Sequence, residues 1–110
     1  MPPGSMEGYG MTIQFAAPLE PVGVHVADFM EEYAIRAPTL AKRLNVSRSR
    51  LQRLLEGARC DGDMAVRLSR AFGTTPEYWL NLQSLYDLSL IDKDTASAIE
   101  REVVPLAIAE

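Results

Sequence analysis

Arg48, Ser49, Gln52 and Arg53 lie within six consecutive positions and share one side of a predicted helix. Arg can donate in pairs to guanine edges, Gln can pair with adenine, and Ser can bond to several base groups. This set therefore suits the reading of a DNA major groove. On the opposite side Leu51, Leu54 and Leu55 recur at helical spacing. At about 100° per residue, Ser49 and Arg53 point directly away from those leucines, with Arg48 and Gln52 at the edges of the same face. No other chemistry competes. The chain has one His (His25) and one Cys (Cys60), far apart, and no nucleophile–base set, phosphate loop or ligand cluster. Catalysis, a cofactor and a metal site are not expected.

The stretch 39–57 must position these side chains, and it reads as two short helices joined by a tight turn. Leu40, Ala41 and Leu44 make one apolar face on the first of them. Asn45 stands at the bend, where a left-handed backbone suits Asn better than other non-glycine residues. Ser47 is a good N-cap for a second helix from Arg48 to Glu56, and Gly57 supplies the stop. The pattern is a helix-turn-helix whose second helix is the reader.

Charge agrees with that reading once it is divided along the chain. The 110 residues carry a net charge of −4. Residues 36–70 hold nine bases against Glu56, Asp61 and Asp63, a balance of +6, while residues 1–35 and 71–110 are each at −5. A basic block inside an acidic protein is a local footprint for an anionic partner. Arg36 stands near the start of the first helix of the motif, Lys42 and Arg43 lie on its outer side, and Arg59 follows the reader. Such bases can hold phosphates around the base-reading face.

The rest of the chain frames the motif. Residues 1–20 are expected to form a flexible arm with a very short strand at 11–15. A first helix from about Val22 to Tyr33 carries the apolar stripe Val22, Val26, Phe29, Met30 and Tyr33. Beyond the loop at 58–62, a helix from about Asp63 to Phe72 turns Met64, Ala65, Leu68, Ala71 and Phe72 inward, and Gly73 ends it. Thr74 or Thr75 caps the next helix, with Pro76 in its first turn. That helix is apolar on more than one side, so Tyr78, Leu82, Leu85 and Tyr86 are expected in a dimer interface. Asp94 is expected to cap a last helix with Ala96, Ile99 and Val103 inward. The domain plan is an arm over 1–20, a DNA-binding domain over 21–90 and a helical tail over 91–110. No apolar run approaches the length of a membrane helix. The absence of Lys and Arg from the first 35 residues removes the basic start of a secretory signal, and one cysteine suits a reducing cytoplasm.

Residues 38–57 and 63–83, above all Gly73-Thr-Thr-Pro-Glu-Tyr-Trp-Leu-Asn-Leu-Gln83 followed by Tyr86-Asp87-Leu88, resemble the HigA-type antitoxins of the Cro/cI-like (XRE) superfamily. The resemblance covers about residues 20–90. It implies an all-α, five-helix, lambda-repressor-like domain that dimerises and binds a palindromic operator in its own promoter. It also implies neutralisation of a HigB-type toxin, a ribosome-dependent mRNA endonuclease. The superfamily's base-reading positions fall on Arg48, Ser49 and Arg53, and its phosphate positions near Arg36, Ala37, Ser47, Arg50 and Arg59. Asn45 replaces the common Gly, and the loop at 58–62 is short and lacks the usual apolar residue. A solitary repressor without a toxin, or a protein-binding module that keeps the fold but not DNA affinity, are the alternative readings.

Overall fold

The computed structural model describes residues 17–108. Among them every regular element is a helix: α1 (Val22–Glu32), α2 (Ala37–Leu44), α3 (Arg48–Leu55), α4 (Gly62–Phe72), α5 (Pro76–Ser89) and α6 (Lys93–Glu102). The strand expected at 11–15 and nearly all of the expected arm lie outside the described residues. Residues 19–87, which hold α1 to α4 and almost all of α5, form one unit, and α6 belongs to a second. No helix among the described residues is long and apolar enough to cross a membrane.

Local chemistry explains where each helix starts and stops. Ser47 has an extended backbone, and its Oγ accepts the Arg50 N–H at 3.0 Å, which satisfies one of the donors left free at the start of α3. Asp61 caps α4 in the same way, with Oδ1 accepting the Met64 N–H at 2.9 Å. The two threonines before α5 divide the work. Thr75 Oγ1 accepts the Tyr78 N–H at 3.2 Å, while Thr74 Oγ1 accepts the indole N–H of buried Trp79 at 2.7 Å. At the helix C-termini, Ala34, Asn45 and Gly73 are left-handed, with φ of 54°, 56° and 70°. After α1 the Ala34 and Ile35 N–H groups return to Glu31 and Met30, and after α2 the Asn45 and Val46 N–H groups return to Lys42 and Ala41. Asn45 behaves as its residue type predicts; an alanine in that conformation was not foreseen.

Val22, Val26, Leu40, Leu44, Leu51, Leu54, Met64, Ala65, Leu68, Phe72 and Trp79 make the buried core. Phe29 joins it from α1, with ring centres 4.9 Å from Phe72 and 5.3 Å from Trp79. Gly23 is buried where α1 crosses α3: a Cβ built there would lie 2.1 Å from the Leu54 carbonyl oxygen.

Three expectations need correction. Ala71 is exposed and Ser69 is buried in its place, its hydroxyl donating to the Val66 carbonyl at 2.7 Å. A short polar residue can bury itself on a helix by bonding to the preceding turn. The cap of α6 is Asp92, whose Oδ1 accepts the Thr95 N–H at 2.7 Å; Asp94 is already inside the first turn. In an Asp-Lys-Asp run the earlier acid caps because nothing in Lys93 or Asp94 resists the helix. Finally, α6 buries no residue, and Ile99 and Val103 are 46% and 65% exposed.

Two substitutions read out these backbone constraints in opposite directions. Gly23→Ala is expected to lower unfolding free energy by about 1–3 kcal/mol or more, because main chain and not a pliable side chain is in the way. Ala34→Gly is expected to raise it by about 1 kcal/mol, since glycine adopts the left-handed cap without strain. Urea denaturation of both variants beside the parent protein checks the two signs.

Candidate nucleic-acid interface

The second helix of the motif, α3, is seated by its inner face. Leu51 and Leu54 are buried and Leu55 half-buried against the core, which turns Arg48, Ser49, Gln52 and Arg53 outward, all of them exposed. Arg48 and Arg53 have no side-chain partner among the described residues, so their guanidinium donors are open to a ligand. Gln52 is partly engaged, its Nε2 donating to Glu56 Oε2 at 3.0 Å, and Ser49 Oγ is 3.5 Å from Ser47 Oγ. The four residues chosen from periodicity thus share one exposed face.

The candidate phosphate residues fall into two groups. Arg36 and Arg43 are exposed, and Ala37 is half-buried at the start of α2. Arg36 occupies the N-cap of α2 with no side-chain cap bond, so the first amides of that helix lack an internal acceptor. Ser47, although its Oγ accepts from Arg50, keeps its own O–H to donate. Arg50 and Arg59 are already paired. Arg50 Nη2 lies 2.9 Å from Asp63 Oδ1 and 3.6 Å from Asp61 Oδ1, while Arg59 Nη1 is 3.0 Å from both oxygens of Asp87. Arg50, Arg53 and Arg59 nevertheless line one shallow depression beside the end of α3.

Periodicity could not find Arg67, yet it fixes the angle of the motif. Its Nη1 donates to the carbonyls of Leu44 at 2.9 Å and Asn45 at 3.3 Å, at the end of α2 and in the turn. Those carbonyls would otherwise lack partners, and a cation there also complements the helix dipole. Asp63, one turn earlier on α4, holds Arg67 Nε at 2.6 Å and reaches Arg50 on α3. Asp63 and Arg67 are spaced i,i+4 on α4, but nothing local marks the carbonyls across the turn as a target for Arg67.

The loop at 58–62 also has an apolar anchor after all, because Cys60 is buried at 1% exposure. Burial, reinforced by Asp61, pushes its thiol up to about 11, so it stays protonated and unreactive. Cysteine is small and apolar enough to do what a longer aliphatic residue does in such a loop.

The two helices and the turn between them agree with comparison to known proteins. Residues 39–79 match the helix-turn-helix family. A HigA-family addiction-module antidote protein from Coxiella burnetii is 38% identical, with a TM-score of 0.71 over 82% of this chain and 99% of that one. This chain belongs to the HigA family. Antitoxin HigA-1 of Vibrio cholerae is 36% identical over 61 residues, which is 56% of this chain and 58% of that protein. The Pseudomonas aeruginosa antitoxin HigA, solved with the higBA promoter, is 34% identical, with a TM-score of 0.70 over 82% of this chain and 99% of that one. HigA-family membership makes this a helix-turn-helix protein and not an enzyme.

In this HigA-family chain the Asp63 carboxyl, which joins the turn, α3 and α4, has a measurable signature. Hydrogen bonds from Arg67 first and Arg50 second hold it below the usual carboxylate range. A carboxyl whose folded-state pKa is depressed contributes stability that is fully present above its unfolded value of about 4. That contribution is lost as the pH falls through the lower, folded value. Asp63→Asn is therefore expected to shrink the drop in unfolding free energy between neutral pH and about pH 2, as measured by urea denaturation at each pH.

Proposed function

We propose that this chain is a sequence-specific DNA-binding antitoxin that represses its own toxin–antitoxin operon. The observation that carries the reading is Arg48 and Arg53, without side-chain partners among the described residues, on the outer face of a capped, core-locked helix. Two arginines five positions apart, about 1.4 turns, with Ser49 between them and Gln52 alongside, offer a donor-rich edge of the kind that reads guanines. Arg36, Ala37, Arg43, Ser47, Arg50 and Arg59 surround that edge and take phosphates, so that binding falls steeply with salt.

A palindromic operator requires two readers, and α5 supplies the surface to pair them. Tyr78 and Leu85 are exposed on it, 39% and 44%, beside half-buried Leu82 and Tyr86. We assign these four to a homodimer interface. The likeness to an antitoxin solved on its promoter supports the operator reading. The family's association with toxin operons supports the second half of the role, neutralisation of a HigB-type mRNA endonuclease in the cytoplasm, where both operator and message reside.

The deciding experiment is a salt-dependent anisotropy titration on a duplex from upstream of the protein's own gene, beside a scrambled duplex. A preference of about 10³-fold or more is expected, and equal weak binding to both would overturn the reading. Arg53→Ala is expected to lose discrimination at one operator position worth about 1–3 kcal/mol. Arg59→Ala is expected to weaken both duplexes alike and to reduce the salt slope by about 1. Rescue of growth on co-expression with the neighbouring gene's product tests the toxin; no rescue leaves a solitary repressor.

A further inference from the structure

Four residues from α5 and the loop after α3 close a ring. Gln83, 4% exposed, accepts the Cys60 N–H on Oε1 at 2.8 Å. Its Nε2 donates to Asp87 Oδ1 at 3.0 Å, and Asp87 takes Arg59 Nη1 on both oxygens at 3.0 Å. Arg59 and Cys60 are neighbours in the chain, so the ring returns to where it began. Gln83 and Asp87 are one turn apart on α5 and therefore face the loop together. The loop has no regular structure of its own and passes through Gly57 at φ 112°.

Using the DNA reading above, we infer that Gln83 and Asp87 are positioning residues for phosphate binding by Arg59. Nη1 faces Asp87, while Nε and Nη2 have no partner among the described residues. Guanidinium carries five N–H donors, so at least three remain for a phosphate. The side chain already stands in the depression it shares with Arg50 and Arg53. An arginine that is ordered before DNA arrives loses less conformational freedom on binding than one that is loose.

The opposite role, in which Asp87 competes with phosphate for Arg59, is disfavoured by how Asp87 is held. The buried Gln83 amide cannot turn over without leaving the Cys60 N–H facing a donor, so its Nε2 and the carboxylate it binds are fixed. The carboxylate is a buttress and not a free counter-ion.

A thermodynamic cycle on the two duplexes tests this, with Asp87→Asn, Arg59→Ala and the double variant across a salt series. Asparagine keeps an Oδ1 that can accept from Gln83, and thermal unfolding confirms each variant is folded. Asp87→Asn is expected to weaken operator and scrambled duplex alike by roughly three- to tenfold and to lower the salt slope towards that of Arg59→Ala. The double variant is expected to bind no worse than Arg59→Ala alone. Tighter binding by Asp87→Asn, additive losses in the double variant, or a silent Arg59→Ala would each overturn the inference while leaving operator preference intact. A parent protein without operator preference would instead remove the DNA reading, and the inference with it.

Discussion

The left-handed turn at Asn45 sets the direction in which α3 leaves α2, and every functional feature depends on that direction. A helix end leaves carbonyls unsatisfied, and here the long side chain of Arg67 reaches back from α4 to Leu44 and Asn45. Asp63 holds Arg67 from the preceding turn and extends the same network to Arg50. The turn is thereby tied to both α3 and the helix behind it. Hydrogen bonds to a cation are among the stronger polar contacts, and this one spans the joint where a small rotation would displace the whole reading face.

The same network changes how the basic block is understood. Of the nine bases between residues 36 and 70, Arg50 and Arg67 are paired with acids of α4 and its cap, and Arg59 is held by Asp87. Arg36, Lys42, Arg43, Arg48, Arg53 and Arg70 remain without side-chain partners among the described residues. The positive charge therefore splits into cations already anchored by an acid, Arg50 and Arg59 with donors to spare, and cations without such an anchor. Whole-segment charge gives their sum but cannot separate them.

What was legible in the sequence was whatever is written locally. Helical spacing in Leu51, Leu54 and Leu55, the cap at Ser47, the left-handed Asn45 and the Pro76 start of α5 depend on neighbours a few positions away, and all appear as expected. Ala34 escaped notice because alanine carries no mark of a left-handed backbone; the return hydrogen bonds and the burial of Ile35 impose it. The ring of Arg59, Cys60, Gln83 and Asp87 joins positions more than twenty residues apart, and no periodicity announces such a closure. Cysteine as a residue type says little about its place in a loop; the fold shows Cys60 filling the position of an aliphatic anchor.

At Gly23 the backbone of α1 lies against the Leu54 carbonyl with no side chain between them. On this side the seat of α3 is close-packed main chain, which is the same whatever α3 displays on its far side. Arg48, Ser49 and Arg53 can be exchanged over evolutionary time without moving the helix that carries them. On the proposed reading, a lineage built on this contact could be retargeted from one promoter to another by change at exposed positions alone. Binding preference and architecture then diverge at separate rates on opposite sides of one eight-residue helix.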